Sequence, residues 1–240
     1  MKKIRIEKFL AEKLCISRSE VKKLIAKKQI RVNENIIKSP VLITINDIVY
    51  YNNQRLEFFN QPEVYLLNKP QGYVCANYDS VNQTVFDLVK EINPKTFHTI
   101  GRLDKDTTGL LLLTNNGELT HNFLAPKKHI NKTYFVKLDK EIKSELIEIF
   151  KNGFTDSNGI SYKPAKLELI SLDEANLTIV EGKYHQVKNM FRNFGMKVMQ
   201  LHRFKFGNLD LKNFNLDYGQ YIKLNQQQIQ NINKKDDYEI

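Results

Sequence analysis

The spacing of apolar positions changes period along the chain. Ile6, Phe9, Leu10 and Leu14 recur at helical spacing, and Ser17-Arg18-Ser19-Glu20 reads as a capping box opening a second short helix with Val21, Leu24 and Ile25 turned inward. Ile30-Arg31-Val32 then alternates as a strand, Asn33-Glu34-Asn35 as a tight turn, and residues 43–51 carry further strand pattern around Asp47. Residues 54–62 are polar and without period, as a linker would be. From Val64 onward strands alternate with helices. Residues 64–68 read as a strand stopped by Lys69-Pro70-Gln71-Gly72, and 84–89 as a short helix. The run Leu110-Leu111-Leu112-Leu113 predicts a strand buried on both faces. Residues 118–124 read as a helix stopped near Pro126, 133–138 as a half-buried strand, and 142–150 as a helix with Gly153 just beyond it. Leu167, Leu169, Leu177, Ile179 and residues 198–201 mark further strands, between which Val187, Met190, Phe191 and Phe194 form a helical stripe ended by Gly195. The order predicts an α+β fold with a mainly antiparallel sheet, and residues 226–240 read as a polar, loose tail. No period of 20 to 50 residues repeats, which excludes a solenoid.

Charge adds a partner to this picture. Residues 1–60 hold 13 Lys or Arg against 6 Asp or Glu, so +7 of the net +10 lies in the first quarter of a 240-residue chain. On the second helix Arg18 and Lys22 lie one turn apart, as do Lys23 and Lys27, a row of cations able to follow phosphates. A solvated basic face that aids solubility has the same composition. No apolar run reaches the roughly 20 residues of a membrane span, and the first residues lack the apolar stretch of a secretory signal, so a cytoplasmic protein is expected. Cys15 and Cys75 stand alone, without a Cys-x-x-Cys pair or clustered His; neither a disulfide framework nor a metal site is expected.

The densest chemistry lies in Gly101-Arg102-Leu103-Asp104-Lys105-Asp106-Thr107-Thr108-Gly109, directly before the buried strand. By spacing alone this is a polar loop whose Asp residues could bond their own backbone. It could equally present one carboxylate beside an arginine to a sugar C1′. Hydrolysis of a glycosidic bond usually takes two carboxylates, whereas a reaction that keeps its leaving group and rejoins it through another atom needs one.

Two resemblances emerge. "IEKFLAEKLCISRSEVKKLIAKKQIRVNENIIKSP" with the later "NDIV" resembles the S4 RNA-binding domain, which implies RNA binding through residues 1–58. "GRLDKDTTGLLLLTNNGELTH" resembles the catalytic motif of the pseudouridine synthases; "LLNKPQGYVC", "NKTYFVKL" and "EGKYHQVKNMFRNFGMKVMQLHRFKFG" are similar to the other motifs of their ribosomal small-subunit branch. The resemblance implies a catalytic domain over 59–225 that isomerises a uridine in ribosomal RNA, 16S before 23S, without cofactor or metal, as a monomer. It implies that Asp104 is the catalytic carboxylate, that Tyr134 stacks on the target base, that Lys188 pairs with the aspartate and that Leu201 lines the base pocket. Arg102 would help fill the gap left by an everted nucleotide. Without the resemblance Tyr134 and Leu201 read as core and Lys188 as solvent-facing. Asp106 reads as structural, bonded to backbone or Arg; His185, Gln186, His202 and Arg203 read as RNA contacts or interior groups, and Lys69 as a phosphate contact or simply an exposed lysine beside a turn. Asn189 departs from the branch, where many relatives carry a second basic residue, and Asn115-Asn116 replaces a more acidic pair. A non-catalytic S4-domain assembly factor is the rival reading.

Overall fold

The structure, a computed structural model, describes residues 3–44, 46–56, 63–124 and 130–232. They fall into two units, one within Met1–Pro62 together with Asn93–Thr96, the other within Glu63–Ile92 and Phe97–Ile240. In the first, β1 (Ile4–Arg5) leads into α1 (Ile6–Leu14) and α2 (Arg18–Ala26), followed by β2 (Ile30–Val32), β3 (Asn35–Ile36), β4 (Leu42–Ile43), β5 (Val49–Tyr51) and β6 (Gln54–Leu56). The capping box is formed reciprocally: Ser17 Oγ accepts the Glu20 N–H at 3.2 Å, and the Glu20 carboxylate accepts the Ser17 N–H at 2.7 Å. Ile6, Phe9, Leu10, Val21, Ile25, Ile30, Ile43 and Val49 form the unit's own core.

The strand pattern around Asp47 takes the form of β4 and β5, because the Asp47 carboxylate accepts the Thr44 N–H at 2.7 Å and the Asn33 amide at 2.9 Å and so fastens a turn between them. One expectation for this unit needs correction. The expected linker begins as strand, with β6 paired antiparallel to β5; residues 57–62 lie outside the described residues.

The second unit runs β7 (Val64–Lys69), a 3-10 turn at Val85–Asp87, β8 (His98–Ile100), β9 (Thr108–Thr114), α3 (Gly117–Leu124), β10 (Lys132–Leu138), α4 (Glu145–Asn152), β11 (Phe154–Thr155), β12 (Ser161–Tyr162), β13 (Lys166–Leu169), β14 (Glu174–Ile179), α5 (Gln186–Arg192), β15 (Val198–Phe206), β16 (Leu209–Asp210), β17 (Tyr221–Lys223) and α6 (Gln226–Ile232). Its main sheet has the order β13-β14-β10-β15-β9-β7-β17, with β8 added on β9 and β16 on β15. Among the described residues every pairing in it is antiparallel except β9 with β15, which run parallel through His202 opposite Thr108 and Arg203 opposite Gly109. The fold class is the α+β, mainly antiparallel arrangement that the order of elements predicts.

The four leucines of β9 explain its double burial. Leu111 and Leu113 join one core with Tyr65, Leu67, Val136, Phe150 and Phe191; Leu110 and Leu112 join another with Val64, Leu66, Phe123 and Phe206. Successive side chains of a strand point to opposite faces, so the sheet separates the two cores. At the parallel crossing Gly109 has φ +105°, and a Cβ there would sit 2.2 Å from the Arg203 carbonyl oxygen. Only glycine lets the two strands approach this closely.

Elsewhere the periodicity misjudged extents. α4 begins at Glu145 rather than 142, and the Ile142 N–H instead ties the preceding segment to the Leu172 carbonyl at 2.7 Å. Residues 84–89 make only a 3-10 turn, and β15 extends well past Leu201. Residues 226–232, expected as tail, form α6, whose Ile229 and Ile232 are buried in the core of Phe123 and Phe206. Pro126 and residues 233–240 lie outside the described residues.

Candidate active site

The loop between β8 and β9 carries Asp104, and its backbone is fastened from beneath by a residue that sequence reasoning misplaced. Lys69 ends β7 fully buried, because every residue of that strand is interior. Its ammonium donates to the carbonyls of Pro70 (3.1 Å), Asp104 (3.0 Å), Lys105 (3.4 Å) and Thr107 (2.8 Å). The Thr107 N–H donates to the Asp104 carbonyl and the Gly72 N–H to that of Lys105. Lys69 is therefore not an exposed phosphate contact. Burial pulls its pKa below the ordinary lysine value, against the pull of Cys75, Asp106 and Asp104. Leu103 is buried on the other side of the loop, and its N–H donates to Cys75 Sγ at 3.3 Å. Burial in turn pushes the Cys75 thiol up.

With its main chain so held, the Asp104 carboxylate stands with 31% of its side chain exposed. Its Oδ2 accepts Lys188 Nζ at 2.8 Å, and its Oδ1 lies 3.5 Å from His185 Nε2. Lys188 comes from the first turn of α5, a helix seated by Val187, Met190 and Phe191 in the core. The Gln186 amide locks the start of that helix, donating to Glu181 and accepting the Lys183 N–H, both at 2.9 Å. Lys188 also donates to Asp106 Oδ1 at 2.6 Å. It is not solvent-facing: only 17% of its side chain is exposed. Burial works against its charge, yet the bonds to Asp104 and Asp106 outweigh it and its pKa lies above the ordinary value. For Asp106 burial works upward, but the Lys188 bond and charge win and its pKa is lowered.

Tyr134 on β10 and Leu201 on β15 are each 7% exposed. Both belong to the apolar cluster that contains Leu103 and Val187, the residues immediately preceding Asp104 and Lys188. The one cluster thus seats the segment carrying the carboxylate, the segment carrying its cation, an aromatic ring and a leucine wall. Arg102 is exposed at the start of the loop. Arg203 is interior: its guanidinium donates to the Leu110 carbonyl at 2.9 and 2.7 Å and lies over the Phe206 ring. His202 Nδ1 is 2.9 Å from Thr108 Oγ1, and burial lowers its pKa. In the first unit Arg18, Lys22 and Lys23 on α2 and Lys27 at its C-cap are all exposed.

A groove of about 260 Å³ lined by Asn131, Thr133, Asn176, Thr178, Lys205 and Asp210 opens on the other face of the sheet from Tyr134. It holds none of Arg102, Asp104, Tyr134, Lys188 and Leu201, and its Thr133 and Thr178 hydroxyls bond each other at 3.0 Å. Among the described residues no group of three or more His, Cys, Asp or Glu could hold a metal ion, and no helix is long and apolar enough to cross a membrane.

Comparisons with known proteins bear on this geometry. The profile described as RNA pseudouridylate synthase matches residues 63–193, and that of the S4 domain matches residues 4–49. The chain is 38% identical over 233 residues to the ribosomal small subunit pseudouridine synthase A of Haemophilus influenzae, covering 96% of this chain and 100% of that one. To the protein of the same name from Escherichia coli strain K12 it is 36% identical over 232 residues, covering 95% and 100%. A solved structure described as a crystal structure of pseudouridylate synthase superposes with TM-score 0.69 at 37% identity, covering 95% of this chain and 99% of the other.

Proposed function

The chain belongs to the RNA pseudouridylate synthases and carries an S4 domain, and from that premise we propose that it isomerises a uridine of small-subunit ribosomal RNA to pseudouridine with Asp104 as the catalytic carboxylate. In this reaction the bond between N1 and C1′ breaks, the uracil turns, and C5 bonds to C1′. The C5 hydrogen leaves as a proton while N1 gains one. Atoms and electrons balance without a co-reactant. Asp104 acts on the ribose, either by attack or by removing a proton, and both begin from an ionised carboxylate. Lys188 fixes its rotamer and faces it with positive charge. Tyr134 stacks on the uracil, Leu201 walls the pocket, and Arg102 occupies the gap that an everted nucleotide leaves.

The observation that carries the reading is the 2.8 Å pair of Asp104 and Lys188, which directly follow Leu103 and Val187 of the apolar cluster that also holds Tyr134 and Leu201. A carboxylate partly open to solvent, on a loop anchored in the cluster that contains a buried ring, suits an everted nucleoside. Residues 1–58 then serve as the RNA grip, with Arg18, Lys22, Lys23 and Lys27 on phosphates, and the catalytic domain of a monomer working in the cytoplasm runs from 59 through α6, whose Ile229 and Ile232 belong to its core. The names of the relatives support the small-subunit substrate. Tritium release from RNA carrying 5-tritiated uridine tests the chemistry. The wild type releases tritium and Asp104→Asn does not; release that persists in the variant removes Asp104 from the mechanism. Mapping pseudouridine in both ribosomal RNAs of a deletion strain decides between 16S and 23S.

A further inference from the structure

Tyr184 is the residue near the site that the reaction leaves unused. It is 79% exposed, yet its ring is not loose: it stacks on the His185 ring with centroids 3.8 Å apart and planes at 20°. His185 adopts φ +50° and ψ +31°, the left-handed region that non-glycine residues rarely enter. Two bonds from Asn189 hold this turn, its side-chain amide donating to the Tyr184 carbonyl at 3.1 Å and its N–H to that of His185 at 2.9 Å. Asn189 is the position that departs from the branch's basic residue, and here its amide has a defined task. The other end of the stack reaches the chemistry, since His185 Nε2 lies 3.5 Å from Asp104 Oδ1.

We infer that Tyr184, backed by His185, is a stacking platform for the nucleobase adjoining the target uridine. The inference rests on the uridine-isomerising reading of the same site. Everting one nucleotide deprives its neighbour of a stacking partner, and a preset aromatic face at the rim replaces it. The two tyrosines divide the work by exposure: Tyr134, buried, serves the everted base, and Tyr184, outside, serves the base that stays behind. A ring accepts any of the four bases, because each has a π face. Tyr184 is in these terms a positioning residue, contacting RNA but not the reacting atoms.

The test uses a small-subunit rRNA fragment containing the mapped target, with 2-aminopurine placed immediately 5′ or 3′ of it. Wild-type protein should quench the fluorophore at one of these positions on binding. Tyr184→Ala should abolish the quench and raise KM about 5- to 150-fold, the range that loss of one base–aromatic stack gives, with kcat changed by less than about twofold. Tyr184→Phe should behave as wild type in both. A wild-type KM and quench in Tyr184→Ala overturns the inference, as does a Phe variant as impaired as Ala, which would assign the role to the hydroxyl. If the wild type releases no tritium, the isomerase reading falls; if it releases tritium but quenches the fluorophore at neither position, the platform falls alone.

Discussion

Lys188 donates to two carboxylates, and their unequal exposure predicts unequal consequences. Asp106 is 59% exposed, so its pair with the ammonium is screened and worth at most about 1 kcal/mol. Asp104 is 31% exposed and Lys188 17%, so their 2.8 Å bond is a charge-assisted contact of about 1.5–3 kcal/mol that also fixes a rotamer. Lys188→Met removes both and leaves Asp104 free to swing, and a misplacement near 1 Å alone costs about 100-fold in rate. We therefore expect kcat in Lys188→Met to fall about 30- to 1000-fold, or roughly 2–4 kcal/mol. Asp106→Asn, which spares the Asp104 bond, should fall less than about fivefold. Single-turnover tritium release at saturating enzyme separates chemistry from RNA binding. Equal losses in the two variants would refute the reasoning, because they would make Asp106 the functional partner of the ammonium. A loss confined to KM would do so as well, by making Lys188 an RNA contact.

Lys69→Met should lower stability by about 2–4 kcal/mol in urea titrations, since carbonyls of the Asp104 loop lose their donor. In the fraction that remains folded, tritium release should drop through kcat; an active variant would separate that anchor from the chemistry. Lys132 is buried with its Nζ on the Ile130 carbonyl, and burial, aided by Arg203 and opposed by Glu181, lowers its pKa from 10.5 to about 8. The unfolded chain holds that proton more tightly than the fold, so this group makes stability rise from pH 8 to 10.5, by about 3 kcal/mol. The difference in urea stability between wild type and Lys132→Met should show that rise and be flat below about pH 7; a flat difference throughout defeats the reading. Replacing Arg18, Lys22, Lys23 and Lys27 together by Gln should reduce the log–log salt slope of RNA binding by about 2.8 to 3.6, at roughly 0.7–0.9 per phosphate contact. A filter-binding slope equal to that of the wild type would show that the row faces solvent only.

Where side-chain type and burial agree, the sequence was readable. The leucines of β9, the stripe of α5 and the capping box at Ser17 and Glu20 each signal their element through a local period or a reciprocal pair. Legibility failed where a polar side chain is interior. Arg203 and Lys205 mask the true length of β15, and the glutamines of α6 hide the spacing of Ile229 and Ile232, which was the available signal. Lys69 was misread because lysine is rarely buried, and its task is to bond main-chain atoms that no sequence pattern displays. The partnership of Asp104 with Lys188 entered only through resemblance, since 84 positions separate them and spacing says nothing about which loop meets which helix. Tyr184 left no signal at all: one exposed aromatic is ordinary until its stack on His185 is seen.

The parallel crossing at Gly109 and Arg203 has a consequence for biogenesis. Asp104 enters from one half of the sheet, whereas Tyr134, Lys188 and Leu201 belong to segments of the other half, and the two halves are stitched together only when β15 pairs with β9. A ribosome making this chain has released every residue of the first unit's core by Val49, but cannot complete the stitch until Arg203 has emerged. The first unit's core can thus close early and the join between the sheet's halves last, so that on the proposed assignment of roles a truncated product would hold RNA without being able to alter it.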